Sequence, residues 1–222
     1  MHRDGGVALK VLREELREDP DVVARFRGEA DVLRAIDHPN VVRLLDAGDW
    51  WLRLELVDGP SLLELAPLPV SRAAALVAQA GWALEGVHAA GFVHRDVKPG
   101  NLLVGGSDRV VLIDFALARR MDDAAPWVTE DGRWLGTPDF AAPEQILGRP
   151  MDARSEVYSL GAVLHWAVTG EVPFPRADPD AVMRAHLSEP PPSAHPVARR
   201  AMAKDPAARY PSAAAFARAL AT

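Results

Sequence analysis

The side chains best suited to chemistry lie in a short polar segment that follows an apolar run. There the sequence places an acid at Asp96, a cation at Lys98 and an amide at Asn101, and a further acid, Asp114, ends a later apolar run. Transfer of a phosphoryl group requires a carboxylate that deprotonates a hydroxyl, a cation beside the migrating group, and oxygen ligands for Mg²⁺. A lone Asp-x-Lys would indicate a polar hairpin loop. The full set favours phosphoryl transfer.

Another acid lies on the apolar face of a predicted helix that spans residues 21–36. Glu29 follows Phe26 by three residues and precedes Leu33 by four, so helical periodicity puts its carboxylate on the face those side chains share. A carboxylate buried there needs a partner. Lys10, on the preceding predicted strand, is the nearest candidate in sequence. The alternative is that Glu29 lies at the edge of this face and reaches water.

The two halves of the chain differ in their hydrophobic patterns. The first half predicts strands with one helix between them, and the strands cover residues 7–11, 41–45 and 51–57. The second half predicts a long helix capped by Ser71 that ends near Ala90, and further helices near 155–169, 179–187, 196–203 and 211–220. A β-rich part followed by a helical part predicts a ligand cleft between the two.

Composition excludes several classes of protein. The net charge is −6 and no basic run is present, which argues against a nucleic-acid binder. The absence of cysteine excludes disulfides and thiolate metal sites. No run of 18 apolar residues predicts a membrane span, and the N-terminus lacks the apolar core of a signal peptide. We therefore expect a cytoplasmic protein with no membrane or nucleic-acid partner.

Seven blocks of sequence resemble the protein kinase family, in the order that the family shows them, and are most similar to bacterial serine/threonine kinases of the eukaryotic (Hanks) type. The blocks cover residues 7–10 (Val-Ala-Leu-Lys), 94–101, 114–116 (Asp-Phe-Ala), 136–138, 142–144, 158–161 and 204–210. The resemblance implies an α+β, bilobal fold with a β-rich small lobe at 1–57 and a mainly helical large lobe at 58–222. It implies transfer of the γ-phosphate of ATP, with Mg²⁺, to a serine or threonine hydroxyl of a protein substrate.

The resemblance also assigns roles to the polar residues of the cleft. Asp96 would be the catalytic base, and Lys98 would steady the γ-phosphate. Asn101 and Asp114 would ligate Mg²⁺. Thr137 would bridge the catalytic base and its lysine, as it does in family members that phosphorylate serine or threonine.

Nucleotide binding is assigned in the same way. Lys10, paired with Glu29, would hold the α- and β-phosphates. The backbone of Glu55 and Val57 would bind adenine, and Leu54 would limit the size of the pocket behind it.

The segment after the second acid resembles an activation segment. Arg95 is placed to sense a phosphate there, and Thr129 is the expected site of autophosphorylation, with an ordinary loop threonine as the alternative. Asp131 stands where a second regulatory threonine often occurs. Glu144 and Arg209 match a buried ion pair of the family.

Three features depart from the family pattern. Residues 4–6 give a hairpin-turn signal with a predicted strand after it and none before it, whereas in the family two strands and a glycine-rich loop precede this point. We therefore expect a truncated small lobe, with an unpaired edge on the strand at 7–11. Ala116 replaces a glycine, and Glu156 replaces an aspartate that anchors the catalytic loop.

Two other functions are compatible with some of these residues. A pseudokinase scaffold would keep the fold and act through partners, although it has no chemical need for the retained catalytic groups. A Mg²⁺-dependent hydrolase would use Asp96, Asp114 and Glu144, but this hypothesis explains neither Lys10 nor the adenine-pocket pattern.

Overall fold

The computed structural model describes residues 2–4, 6–121 and 137–221. Its small lobe is an antiparallel four-stranded sheet in the order β1-β2-β4-β3, packed against helix α1. These elements are β1 (His2–Asp4), β2 (Val7–Val11), α1 (Pro20–Ala35), β3 (Leu44–Gly48) and β4 (Trp51–Glu55). The mixed architecture agrees with the α+β class that the resemblance implied.

The first strand corrects an expectation from the sequence. β1 pairs with β2, with His2 opposite Leu9 and Asp4 opposite Val7, so β2 lies between β1 and β4. The prediction that no strand precedes the turn, and that β2 has an unpaired edge, was wrong. Three polar residues give no alternating hydrophobic signal, although Gly6, at φ 85°, adopts the left-handed conformation that suits the turn.

Helix α1 is the predicted helix of residues 21–36, shifted by one residue. It begins at Pro20 because the Asp19 carboxylate accepts hydrogen bonds from the backbone N–H groups of Asp21 (3.0 Å) and Val22 (3.1 Å). Its buried face includes Phe26 and Glu29. The helix therefore carries a carboxylate toward the sheet.

The strand predicted at 41–45 is only partly correct, because β3 begins at Leu44. The preceding residues instead contact the large lobe. The N–H of Val42 donates to Leu112 O (3.0 Å), and the N–H of Leu112 donates to Asn40 O (2.8 Å). Residues 40–42 therefore join the two lobes rather than extend the sheet.

Helices form most of the large lobe, and α3 and α5 pack together at its centre. In the described ranges the helices are α2 (Leu62–Leu65), α3 (Val70–Ala89), α4 (Pro143–Ile146), α5 (Ala153–Thr169), α6 (Pro179–Ser188), α7 (Pro196–Ala201) and α8 (Ala213–Leu220). All four shorter helices predicted between 155 and 220 are present. None of the helices in these ranges combines the length and apolar character that crossing a membrane requires.

The predicted cap of the long helix was wrong. α3 begins at Val70, directly after Pro69, and Ser71 lies inside its first turn. Pro69 O accepts a hydrogen bond from the N–H of Ala73 (2.9 Å), so the chain is already turning before Ser71. Proline, with its fixed φ, is well suited to the start of a helix, and here it takes the place predicted for a serine cap.

Two short antiparallel ladders hold the loops that carry the polar residues. β5 (Phe92–Val93) pairs with β8 (Arg119–Arg120), and β6 (Leu102–Val104) pairs with β7 (Val110–Leu112). The loop that contains Asp96 joins β5 to β6, and the segment that begins with Asp114 joins β7 to β8. Both loops therefore leave the same pair of ladders.

Candidate active site between the lobes

The loop between β5 and β6 brings together four of the predicted residues. Lys98 Nζ donates to Asp96 Oδ2 (2.7 Å) and to Thr137 Oγ1 (3.2 Å). Asn101 Nδ2 donates to the same Asp96 Oδ2 (3.0 Å) and to Asp96 O (2.8 Å). The Asp96 side chain is 11% exposed, so an acid with two charged or polar donors on one oxygen lies at the edge of the cleft.

A buried glutamate on α5 fixes the backbone of this loop. Glu156 Oε1 accepts a hydrogen bond from the N–H of Arg95 (2.8 Å), where the backbone is left-handed (φ 72°). Glu156 Oε2 lies 2.6 Å from His88 Nε2. Burial alone would raise the pKa of Glu156, but the contact with His88 holds it below its usual value. The longer glutamate therefore keeps the anchoring contact, and its second oxygen has a partner.

His94 joins this loop to the segment that carries Asp114. Its Nδ1 accepts a hydrogen bond from the N–H of Asp96 (3.2 Å), and its Nε2 lies 3.0 Å from Ile113 O. Since Nδ1 is an acceptor, the proton must be on Nε2, which donates to the carbonyl. The ring also meets Phe115 edge-on, at 4.7 Å between centroids. The two acidic segments are therefore held in a fixed relation.

Lys10 on β2 contacts two carboxylates from different parts of the chain. Its Nζ lies 2.9 and 2.7 Å from the two Glu29 oxygens and 2.9 Å from Asp114 Oδ1. The side chains of Glu29, Lys10 and Asp114 are 1%, 29% and 43% exposed, in that order. The site is thus closed at Glu29 and open at Asp114. The sequence indicated the first contact but not the second.

The charges of this cluster do not balance, because one cation faces two acids. Burial alone would lower the pKa of Lys10, but Glu29 and Asp114 raise it above its usual value. Burial raises the pKa of Glu29, and Lys10 opposes this only in part. For Asp114, burial acts in the same direction, but Lys10 lowers the pKa below its usual value. Negative charge therefore remains at the open end of the cluster, where a cation would be stabilised.

The residues expected to bind Mg²⁺ lie at the two ends of the β6–β7 hairpin. The N–H of Ile113 donates to Asn101 O (3.0 Å), which brings Asp114 alongside Asn101. Among the described residues, no group of three or more His, Cys, Asp or Glu side chains is placed to hold a metal ion. One amide and one carboxylate nevertheless suit Mg²⁺, which usually takes few protein ligands and completes its shell with water and phosphate oxygens.

A cavity of about 410 Å³ lies between the lobes and ends at the Lys10 cluster. It is lined by Ala8, Lys10, Glu29, Val42, Leu54, Glu55, Leu56, Val57, Gly59, Pro60, Glu64, Leu103, Ile113 and Asp114. Its mostly apolar walls and charged end suit a flat base that is joined to phosphates. A cavity of similar size, about 430 Å³, lies against α1 and β3 and contains none of the catalytic groups.

Six apolar residues that line this cavity were not among the predicted site residues: Ala8, Val42, Leu56, Pro60, Leu103 and Ile113. Leu103 lies on β6 between the buried Leu102 and Val104, so strand alternation turns its side chain to the other side of the ladder, toward the cavity. That alternation was the signal available for Leu103. Val42 carried no such signal, because its segment was predicted to be a strand of the other sheet.

The predicted pair of Glu144 and Arg209 lies away from the cleft. Arg209 Nη1 and Nη2 donate to the two Glu144 oxygens at 2.7 and 3.0 Å. Burial alone would raise the pKa of Glu144, but Arg209 lowers it below its usual value. Glu144 is thus held by arginine rather than placed beside Asp96 and Asp114, which contradicts the hydrolase hypothesis. Thr129 and Asp131 lie outside the described residues.

Known protein kinases resemble this chain over most of its length. Residues 1–216 match the model of the protein kinase domain. The chain is 38% identical to serine/threonine-protein kinase PknB of Mycolicibacterium smegmatis and of Mycobacterium tuberculosis, over 96% of its own length and 38% of theirs. It is 39% identical to PknJ of M. tuberculosis, over 96% of its length and 40% of that protein. The chain therefore spans about two fifths of the length of these relatives.

Proposed function

The chain belongs to the protein kinase family, and we propose that it is a serine/threonine kinase domain that transfers the γ-phosphate of ATP to a protein hydroxyl. One observation supports this most directly. Lys98 Nζ lies within hydrogen-bonding distance of both Asp96 Oδ2 and Thr137 Oγ1, and Asn101 binds the same Asp96 oxygen. This arrangement orients an acid, a cation and a hydroxyl toward one point.

Asp96 accepts the proton of the acceptor hydroxyl as its oxygen bonds to the γ-phosphorus and the bond to the leaving ADP oxygen breaks. Lys98 offsets the negative charge that develops during transfer, since its amine is 2.7 Å from Asp96 Oδ2. Thr137 holds that amine in place through its hydroxyl. We assign the catalytic role to these three residues.

ATP and Mg²⁺ are the cofactors that the cleft fits. When bound, Mg²⁺ would neutralise phosphate charge, with Asn101 and Asp114 as its protein ligands. Lys10, held by Glu29, would bind the phosphates nearest the base. The negative charge left over at Asp114 supports this arrangement, because a divalent cation would offset it.

Adenine would bind at the opposite end of the cavity. The N–H of Glu55 already donates to Arg43 O (2.9 Å), so Glu55 would contribute its carbonyl as an acceptor. Val57 would contribute its N–H. We take 1–57 as the small lobe and 58–222 as the large lobe, so that Glu55 and Val57 form the connection between them, with Leu54 limiting the depth of the pocket.

The acceptor residue would be a serine or threonine. The protein itself would act in the cytoplasm, where ATP and Mg²⁺ are supplied. Thr137 supports the acceptor class through its contact with Lys98, and the matched relatives are serine/threonine kinases by name. We propose Thr129 as a site of autophosphorylation. A scaffold function is not favoured, because the costly polar contacts of Lys10 and Asp96 are all formed.

The test is phosphate transfer from ATP labelled at the γ-phosphate to a mixture of protein acceptors, with Mg²⁺ or with EDTA. We expect Mg²⁺-dependent labelling of serine and threonine. Asp96→Asn should lower the rate by about 10²- to 10⁴-fold, because the side chain keeps its size and loses its basicity. Arg53→Ala, an exposed change on β4 outside the cleft, is the control. Equal labelling by Asp96→Asn and wild type would refute the assignment.

A further inference from the structure

The turn of the β6–β7 hairpin is bound firmly to the large lobe. This turn, Gly106–Asp108, has left-handed backbone at Ser107 (φ 58°) and Asp108 (φ 56°). Arg72 of α3 pairs with the Asp108 carboxylate at 2.9 and 3.1 Å. Gln79, also on α3, donates to Asp108 O (2.9 Å). The residue that follows the turn therefore starts from a defined position on the large lobe.

That residue, Arg109, extends from the large lobe to the small lobe. Its Nε and Nη2 donate to Pro39 O at 2.9 and 2.6 Å. Its Nη2 and Nη1 also lie 3.2 and 3.5 Å from the two oxygens of Glu55. The Glu55 side chain is 18% exposed, so one guanidinium joins a half-buried acid of β4 to the loop after α1.

Glu55 is held from a second direction by Arg43, which directly precedes β3. The N–H of Arg43 donates to Glu55 Oε1 (3.2 Å), and the N–H of Glu55 donates to Arg43 O (2.9 Å). Both the side chain and the backbone of Glu55 are thus fixed. The same residue lines the 410 Å³ cavity at its base-binding end.

The hairpin that carries Arg109 also forms the opposite wall of this cavity. Leu103 of β6 and Ile113, just after β7, both line it. Arg109 therefore joins the two walls between which the base would lie: its own hairpin on one side and the strand of Glu55 on the other. Arg109 is not itself part of the cavity lining.

We propose that Arg109 is a positioning residue that sets the affinity for the adenine half of the nucleotide by fixing Glu55 relative to the β6–β7 hairpin. This rests on the proposed function, since it takes the cavity to be the ATP site. Arg109 contacts neither phosphate-binding group, so its loss affects adenosine and ATP by the same factor. Lys10, by contrast, acts on the phosphates alone.

The test measures dissociation constants of the 222-residue protein for Mg²⁺-ATP and for adenosine by titration calorimetry. Arg109→Ala should weaken both by about three- to ten-fold, the value of one or two partly exposed hydrogen bonds. Lys10→Met should weaken only ATP. Arg109→Lys keeps the charge but not the two-pronged geometry, and should lie between Arg109→Ala and wild type. Arg53→Ala, an exposed arginine on the same strand as Glu55, should bind both ligands as wild type does.

A second variant separates positioning from a loss of folding. Glu55→Gln keeps the backbone and weakens the contact with Arg109, so it should reproduce part of the loss of affinity. The Arg109→Ala/Glu55→Gln double variant should lose less affinity than the sum of the two single losses. The inference would be overturned if the two losses of affinity were additive, or if Arg109→Ala bound adenosine as tightly as wild type. Either result would leave the proposed function intact. A wild-type protein that binds no ATP would overturn the proposed function, and this inference with it.

Discussion

The ion pairs Arg209–Glu144 and Lys10–Glu29 each contain one fully buried side chain, but they differ in the number and kind of their hydrogen-bond partners. The Arg209 side chain is fully buried, and besides Glu144 it donates to three backbone carbonyls: Ala203 O (2.7 Å), Arg154 O (2.9 Å) and Lys204 O (3.1 Å). Lys10 is 29% exposed, and its amine is shared between Glu29 and Asp114.

We interpret the Arg209 pair as structural and the Lys10 cluster as the proposed phosphate-binding site. Arg209 has all its contacts within the fold, and one acid matches one base, so nothing in the arrangement calls for a ligand. The Lys10 cluster places two acids against one cation and opens into a cavity. A ligand that brings a cation to the cavity would offset this imbalance. Unbalanced charge at a cavity wall is therefore a better indicator of function than burial of an ion pair.

The largest expected effect comes from breaking the structural pair. Arg209→Met should lower the free energy of unfolding by about 3–5 kcal/mol, because Glu144 and three carbonyls lose their buried partner. Urea denaturation followed by circular dichroism measures it. Arg176→Met is the matched control, since its pair with Glu189 is 41% and 46% exposed and should matter far less. Equal losses in the two variants would refute the distinction.

Breaking the pair of Lys10 and Glu29 should affect ligand binding more than folding. Lys10→Met should weaken Mg²⁺-ATP binding by about 10- to 100-fold, through the loss of charge-assisted hydrogen bonds to phosphate. It also leaves Glu29 buried without its cation. Adding Glu29→Gln should therefore restore stability but not affinity. A double variant that regains tight ATP binding would show that the pair is structural, like that of Arg209.

The acid at the open end of the Lys10 cluster should affect metal binding more than stability. Mg²⁺ should increase the nucleotide affinity of Asp114→Asn about ten-fold less than it increases that of wild type. The free energy of unfolding should change little, because the Asp114 side chain is 43% exposed. Titration with and without EDTA gives the Mg²⁺-dependent gain in affinity directly. Asp46→Asn, an exposed acid on β3, should leave it unchanged. If Asp114→Asn responds to Mg²⁺ as wild type does, the metal is held elsewhere.

Most helices could be predicted because they depend on local patterns, whereas the fold class followed from the family resemblance. The face of α1 that carries Glu29 follows from helical periodicity alone, and so does the expectation of a partner for it. The strand β1 could not be predicted in this way, because its three polar residues owe their conformation to pairing with β2. This pairing is local, with Asp4 opposite Val7, but a strand of three polar residues leaves no alternating hydrophobic pattern in the sequence.

In the polar site, too, contacts between residues close in sequence could be predicted, and contacts between distant residues could not. Asp96, Lys98 and Asn101 lie within one loop, so their spacing in the sequence already brings them near each other. The contact of Lys10 with Asp114 joins residues 104 positions apart, and that of Arg109 with Glu55 joins residues 54 apart. Such contacts depend on how the lobes pack, which the spacing of residues does not determine.

The smallest expected effect is a dependence of the structural pair on pH. Arg209 holds the pKa of Glu144 below its ordinary value of 4.5, so the pair stabilises the fold fully above that pH and less as pH falls toward the lower, folded-state pKa. The difference in unfolding free energy between wild type and Glu144→Gln should therefore be constant from pH 7 to about 5 and shrink below about 4.5, since a protonated Glu144 resembles glutamine. Urea denaturation at a series of pH values measures this difference. A difference that stays constant down to pH 3 would mean that the charge of Glu144 contributes nothing beyond its hydrogen bonds, and the contrast with the Lys10 cluster would then rest on exposure alone.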